Sequence, residues 1–304
     1  MGKYDEAWKE VIENFFEQFM YFYIPDLAVD IDFNKGFTFL DKEFQTITGK
    51  SEDTSREMDK LVKVYLKNNE ETWILVHIDV QGENKEDFSS RMFRYFYRIF
   101  DKYNKQIVSL AVFTGKSGTY QLKYDYNFYR TTLCYKYRHV KLVDYKEKHL
   151  IENKNLFALV TLAVKYSLKT KTDEEMRAKF IRNLIRLMKN RRYNKEAILS
   201  LIRFIETVVE VEDEELNQLI YEDILELYKK EGDVMLLAKF EQKAMEKGME
   251  KGMEKGMEKG LRHTAIKMME DKVDIELIAK YTGLTLENIK KIFQEESKEK
   301  INGR

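Results

Sequence analysis

MDKLVKVYLKNNEETWILVHIDVQ, residues 58–81, is the stretch that decides how this chain is read. Two apolar runs flank the polar pair Asn68-Asn69, the pattern of two strands joined by a turn. The second run alternates: Ile74, Val76, Ile78 and Val80 fall on one face, and Trp73, Leu75, His77, Asp79 and Gln81 on the other. The first face is β-branched and apolar and is expected in the core. The second ends in an imidazole, a carboxylate and a carboxamide at the strand terminus. Asp59 opens the preceding run, so a hairpin of suitable register brings its carboxylate into the neighbourhood of Asp79.

Upstream, residues 37–47 (FTFLDKEFQTI) read as a first strand, followed by the polar loop GKSEDTS at 49–55. Residues 4–24 read as an amphipathic helix with Trp8, Val11, Ile12, Phe15, Phe19 and Phe22 at helical spacing, ended by Pro25, the only proline. Glu13 and Glu17 lie four apart on one side of it. The literal Pro25-Asp26 follows a helix and leads no strand, so it is set aside. Downstream, residues 86–104 read as a helix on which Arg91, Arg94, Arg98, Lys102 and Lys105 form a basic stripe, with Phe93, Phe96, Ile99, Phe100 and Tyr103 opposite. Such a stripe suits a phosphate backbone, or is an ordinary solvated face. A strand at Val108–Thr114 closes an α-β-β-β-α-β unit, and Tyr120–Tyr126 and Leu133–Asp144 read as added strands. His139 and His149 have no partner at metal-ligand spacing and read as structural.

Asp59 followed by Asp79-Val80-Gln81 at the end of an apolar strand resembles the core of the PD-(D/E)XK nuclease superfamily. Within it, LDKEF (40–44), MDKLVKVYLK (58–67), LVHIDVQ (75–81), RMFRYFYRIFDKY (91–103) and VSLAVFT (108–114) resemble, in order, segments of the Rpn family of recombination-promoting nucleases and transposases. The likeness spans most of residues 4–232. It implies an α+β fold with a restriction-endonuclease-like core, a mixed sheet flanked by helices, and an all-helical C-terminal region. It also implies hydrolysis of DNA phosphodiester bonds, which needs a divalent cation to activate water and stabilise charge on phosphate. Mg²⁺, with Mn²⁺ as a substitute, prefers hard oxygen ligands. Asp59 and Asp79 would be direct ligands, the Val80 carbonyl a third, and Glu17 a further carboxylate unless it is merely solvated. Gln81 stands where the superfamily usually has lysine, and can orient water or donate a hydrogen bond. Asp79 stands where the family more often has glutamate, one methylene longer. Glu43 matches the LDKE segment and either supports the metal carboxylates or pairs with Arg56. His77 shares their face and either positions water or is structural. Arg91 and Arg98 match the family's spacing and would hold phosphate.

The composition constrains these expectations. Among 304 residues, 53 basic and 53 acidic side chains cancel, so any DNA contact must come from local patches. No apolar run approaches the ~20 residues of a membrane span. The charged N-terminus argues against a signal peptide, and a cytoplasmic location follows as the expectation. Cys134, the only cysteine, excludes an internal disulfide and a cysteine zinc cage.

Four regions are expected: a nuclease-like core at 1–149, a helical subdomain at 150–232, a helical linker at 233–260 and a small helix-turn-helix-like unit at 261–304. The subdomain reads as LFALVTLAVKYSL, FIRNLIRLM, AILSLIRFIETVV and LNQLIYEDILELY, with Arg182 to Lys195 basic and Glu206 to Glu226 acidic. Residues 245–260 are four copies of Met-Glu-Lys-Gly. Each glycine costs a helix roughly 1 kcal/mol against alanine, so this segment is either a length-tolerant linker or a helix whose Gly row lets two copies approach as a homodimer. In IELIAKYTGLTLENIKKIF, Ala279 lies four before Gly283 and Thr285 is placed to cap the next helix, which resembles a helix-turn-helix for DNA or for a protein partner. Three functional readings follow. The first is a metal-dependent DNA endonuclease linked to recombination or mobile elements. The second is a catalytically weak or inactive nuclease fold that binds DNA, and the third a protein-interaction scaffold.

Overall fold

In a computed structural model the expected hairpin is the centre of a mixed five-stranded sheet, order β1-β2-β3-β4-β7. The structure describes residues 3–40, 58–79, 88–115, 122–170, 173–191, 193–230 and 260–292, and positions 42, 44, 46, 249, 253, 256 and 257. Strands β2 (Met58–Tyr65) and β3 (Glu71–Asp79) are antiparallel, registered from Met58↔Ile78 to Tyr65↔Glu71. The turn between them closes on Leu66 and Glu70, with Asn69 in the left-handed region (φ 72°). Asparagine tolerates that conformation better than most residues. Helix α4 (Phe88–Tyr103) then crosses to β4 (Gln106–Phe113), which runs parallel to β3, as a crossover connection requires. Three of the four strands expected in one mixed sheet thus pair as expected, and of the first, 37–47, only Thr38–Phe39 joins them, on β2. A fifth, β7 (Arg138–Lys141), adds parallel to β4.

Both faces of this sheet are buried. Leu61, Trp73, Ala111 and Phe113 form one core with Phe88, Met92, Tyr95 and Ile99 of α4. The residues of opposite parity, Lys60, Val62, Val64, Ile74, Leu110 and Val112, are also buried. Strand β4 accordingly reads as a continuous buried run rather than an alternation. Helix α1 (Lys3–Asn14) lies over β2 on this second side, where Glu13 ion-pairs with Lys60.

Four expectations need correction. The helix at 4–24 is three: α1, α2 (Phe16–Tyr23) and α3 (Pro25–Ala28). Pro25 starts α3 instead of only ending its predecessor, because a first helical position needs no N–H. The first strand spans only Thr38–Phe39 (β1); positions 42, 44 and 46 are helical, and Phe44 N bonds Leu40 O at 2.9 Å. Leu40 and Phe44, four apart, are both buried in the α4-side core, so the helical period prevails over the alternation seen in sequence. The buried ridge of α4 is Phe88, Met92, Tyr95 and Ile99, while Phe93 and Phe96 flank it and Phe100 is exposed. The added strands are three: β5 (Lys123–Phe128) and β6 (Thr131–Lys136) form a separate two-stranded sheet, and the extended run is interrupted at Tyr137 before β7.

The helical region forms α5 (Glu147–Glu152), α6 (Leu156–Lys169), α7 (Glu174–Arg191), α8 (Lys195–Val208) and α9 (Glu214–Lys230). Helix α6 is apolar nearly all round and is buried accordingly. It packs on α2, with Phe157 against Phe19 (5.2 Å between ring centroids) and Tyr23 Oη 2.9 Å from Thr161 Oγ1. Trp8 of α1 meets Phe204 of α8 edge-on at 5.1 Å. Residues 1–227 thus make one compact unit, and 228–304 a second. The basic run of α7 faces the acidic run of α9, through Arg182–Asp223 (2.5 Å) and Lys189–Glu226 (2.9 Å), and Arg191 donates to the Leu150 and Ile151 carbonyls. Those cations are engaged within the protein.

The second unit contains helical residues 260–270, α10 (Ile275–Thr282) and helical residues 286–292, around Ala265, Ile278 and Ile289. Gly283 ends α10 in the left-handed region (φ 70°), its N–H on Ala279 O, and Thr285 Oγ1 accepts from Asn288 N. At the described positions of the Met-Glu-Lys-Gly repeat the backbone is helical, and Met249, Met253 and Met257 are exposed.

Candidate functional site

The β2–β3 register sets Asp59 opposite His77, and Asp79 two positions further along β3. Opposed residues of an antiparallel ladder have Cα atoms roughly 4.5–5.5 Å apart, and diagonal ones about 7–8 Å. Asp59 and Asp79 are diagonal neighbours. In the register, Asp59, His77 and Asp79 hold positions of the same parity as Leu61 and Trp73. Two aspartates one diagonal step apart are a donor set suited to a hard divalent cation. Val80, Gln81 and Glu43 lie outside the described residues. Among the described residues no group of three or more His, Cys, Asp or Glu is gathered for a metal.

The other candidates lie at graded positions. Phe88, in the first turn of α4, packs on Phe113 (5.3 Å), which is the register partner of Asp79 on β4. Arg91 lies over the Phe88 ring, its Cζ 5.6 Å from the centroid. This links Arg91 to the Asp79 end of the sheet. Arg98, seven residues on, is roughly 10 Å further along the helix axis, at ~1.5 Å per residue, toward the end where Tyr103 packs on Trp73 (4.8 Å). Arg98, Arg94 and Lys102 are exposed. Lys105 lies beyond the helix and pairs with Glu71 at 3.1 Å. Glu71 also accepts from Trp73 Nε1 at 2.8 Å, and these contacts hold its carboxyl below the usual range, the indole bond contributing most.

Glu17 is exposed on α2. Glu13, one turn before it, reaches Lys60, whose parity is opposite to that of Asp59. The described contacts therefore tie this helical segment to the other side of the sheet. Asp26, of the Pro-Asp pair set aside above, forms a bidentate ion pair with Arg138, which holds its carboxyl below the usual range and fastens α3 to β7.

The docking of the added strands on α4 is not legible from periodicity. The β5–β6 hairpin lays Tyr124 and Tyr135 on α4: Phe93 stacks on Tyr124 at 5.0 Å and Phe96 meets Tyr135 at 4.8 Å. Tyr135 Oη donates to Ser109 Oγ at 2.7 Å, and burial pushes its phenol up to about 12. A depression of about 480 Å³ opens beside this contact, lined by Phe93, Phe96, Ser109, Leu133 and Lys136 among others. The signal in sequence was the alternation Tyr124, Tyr126, Phe128.

Set against family models, curated proteins and solved structures, the chain has no match. The fold is that of a mixed α and β protein, with Asp59 and Asp79 at diagonal register positions of two neighbouring strands. No described helix is long and apolar enough to cross a membrane.

Proposed function

We propose that this protein is a Mg²⁺-dependent DNA endonuclease of the PD-(D/E)XK kind, related to the Rpn family of recombination-promoting nucleases. The observation that supports this most is the diagonal placement of Asp59 and Asp79 in the β2–β3 ladder of an α-β-β-β-α-β unit. Asp59 and Asp79 would hold the metal through carboxylate oxygens. Bound there, Mg²⁺ supplies Lewis-acid stabilisation of the phosphate and a more acidic water. Gln81, an amide, donates to or orients the attacking water without changing the metal's charge balance. Arg91 is the first phosphate contact, being tied to the Asp79 end through Phe88, and Arg98 a more distant one along the backbone.

Cleavage of supercoiled plasmid with Mg²⁺, comparing wild type with Asp79→Ala, tests the reading. Nicking by the wild type and its loss in the variant are expected. DNA binding without nicking by the wild type would favour an inactive nuclease fold, a reading that the shorter Asp79 and the missing lysine at Gln81 also suit. Equal nicking by both preparations would remove the catalytic reading.

A further inference from the structure

The hairpin that packs on α4 extends beyond it, and the part that extends is aromatic. Register places Tyr124, Tyr126 and Phe128 of β5 on one face with Tyr135, Leu133 and Thr131 of β6. The first and last rungs differ: Tyr124 and Tyr135 are covered by Phe93 and Phe96, whereas Tyr126, Leu133 and Phe128 are exposed. Tyr129 at the tip is 88% exposed and Phe128 60%. The aromatic surface continues onto α4, where exposed Tyr97 stacks on Phe93 and exposed Phe100 on Phe96. Seven aromatic side chains are exposed among the described residues, and five of them are on this helix and hairpin. An apolar surface so concentrated is costly to leave in water and marks a binding site.

Its charge and backbone point to the occupant. Residues 88–103 and 123–136 carry seven Lys or Arg against two Asp and no Glu, in a chain whose total charge is zero. The hairpin turns on Tyr129-Arg130, both at positive φ (44° and 68°). A two-residue turn of this kind is met without steric cost by Asn-Gly. A bulky aromatic and an arginine there run against backbone preference, and such strain clusters at contact sites. Exposed aromatic rings interleaved with cations are what unpaired bases on a phosphate backbone require: every base has a face to stack, and Lys and Arg follow the strand. A duplex hides its base faces, leaving phosphates and the base edges in its grooves.

We propose that the Lys123–Lys136 hairpin and the exposed side of α4 form a stacking platform for single-stranded nucleic acid. Phe128 and Tyr129 engage bases at the tip, and Arg130, Arg98 and Lys136 engage phosphates. As a statement of substrate form this rests on the nuclease proposal, but the binding itself requires no metal.

The test is fluorescence anisotropy on the full chain in EDTA, with a labelled single strand longer than the roughly 4–16 nucleotides such platforms occupy, and its duplex. The single strand should bind tighter than the duplex, and Phe128→Ala with Tyr129→Ala should weaken it about tenfold or more. Phe128→Trp should keep the affinity. Tyr129→Asn with Arg130→Gly relieves the turn, so the melting temperature should hold or rise while affinity for the single strand falls. A purely structural hairpin would move neither affinity. Preference for duplex, unchanged affinity in the alanine variant, or no binding to either form would overturn the platform; the last would hand the surface to a protein partner. Binding in EDTA without plasmid nicking in Mg²⁺ would defeat the nuclease reading alone, and nicking without strand preference would defeat the platform alone.

Discussion

Asp59 stands directly across the β2–β3 ladder from His77, and Asp79 is the next residue of the same parity. If Asp59 and Asp79 held a metal as proposed, the His77 position would adjoin it in the register. Asp59→Asn keeps the side chain's size but would remove one of the two anionic ligands of the proposed site. Plasmid cleavage is expected to fall by at least about 100-fold, given the several kcal/mol a Lewis-acid metal supplies. Gln81→Ala should slow cleavage while leaving its Mg²⁺ dependence nearly unchanged, because the amide adds no charge to the metal. A Mg²⁺ titration displaced equally in both variants would place Gln81 on the metal instead.

Lys60 and Glu13 form an unequal ion pair. Lys60 is 4% exposed and Glu13 41%. Removing the carboxylate takes a counter-charge from a buried ammonium, whereas removing the lysine leaves a carboxylate that water can reach. Glu13→Ala is expected to destabilise by about 1–3 kcal/mol, and Lys60→Met to be near neutral. Urea midpoints measure both, and a larger loss for Lys60→Met would reverse the assignment of which partner needs the other.

Glu71 links stability to pH. Its carboxyl is held below the ordinary 4.5 by the Trp73 indole and by Lys105. A depressed folded-state value contributes stability that is present above 4.5 and is lost as pH falls through the lower folded value. Glu71→Gln keeps an acceptor for Trp73 but cannot titrate, so the loss of stability on acidification should be shallower than in wild type. Denaturant titrations on either side of 4.5 check this, and parallel acid limbs would mean that Glu71 is not a linked group.

Trp8 against Phe204, and Phe19 against Phe157, join the N-terminal helices to the helical region by buried aromatic contacts. Residues 1–149 expressed alone would expose these rings. They are expected to show no cooperative thermal transition, while residues 1–230 melt in one step. A sharp transition of the shorter fragment near that of the longer one would make the N-terminal part an independent domain.

Much of this was local and therefore written in the chain. Alternation from Trp73 to Asp79 determined a strand, and Asn68-Asn69 its turn. The 3.6-residue period determined α6 to α9, and the assumed hairpin, with the likeness of its motif to a nuclease core, singled out Asp59 and Asp79. Leu40 and Phe44 were ambiguous, because FTFLDKEF satisfies both periods, and only the core under α4 selected the helix. The register of Asp59 with His77, the docking of β7 on β4 and the pairings of Lys60 with Glu13 and Arg182 with Asp223 come from tertiary structure. So does the split of one aromatic hairpin face into a covered half and an exposed half. Periodicity records which side of an element is apolar, but not which distant element covers it or how far that cover reaches.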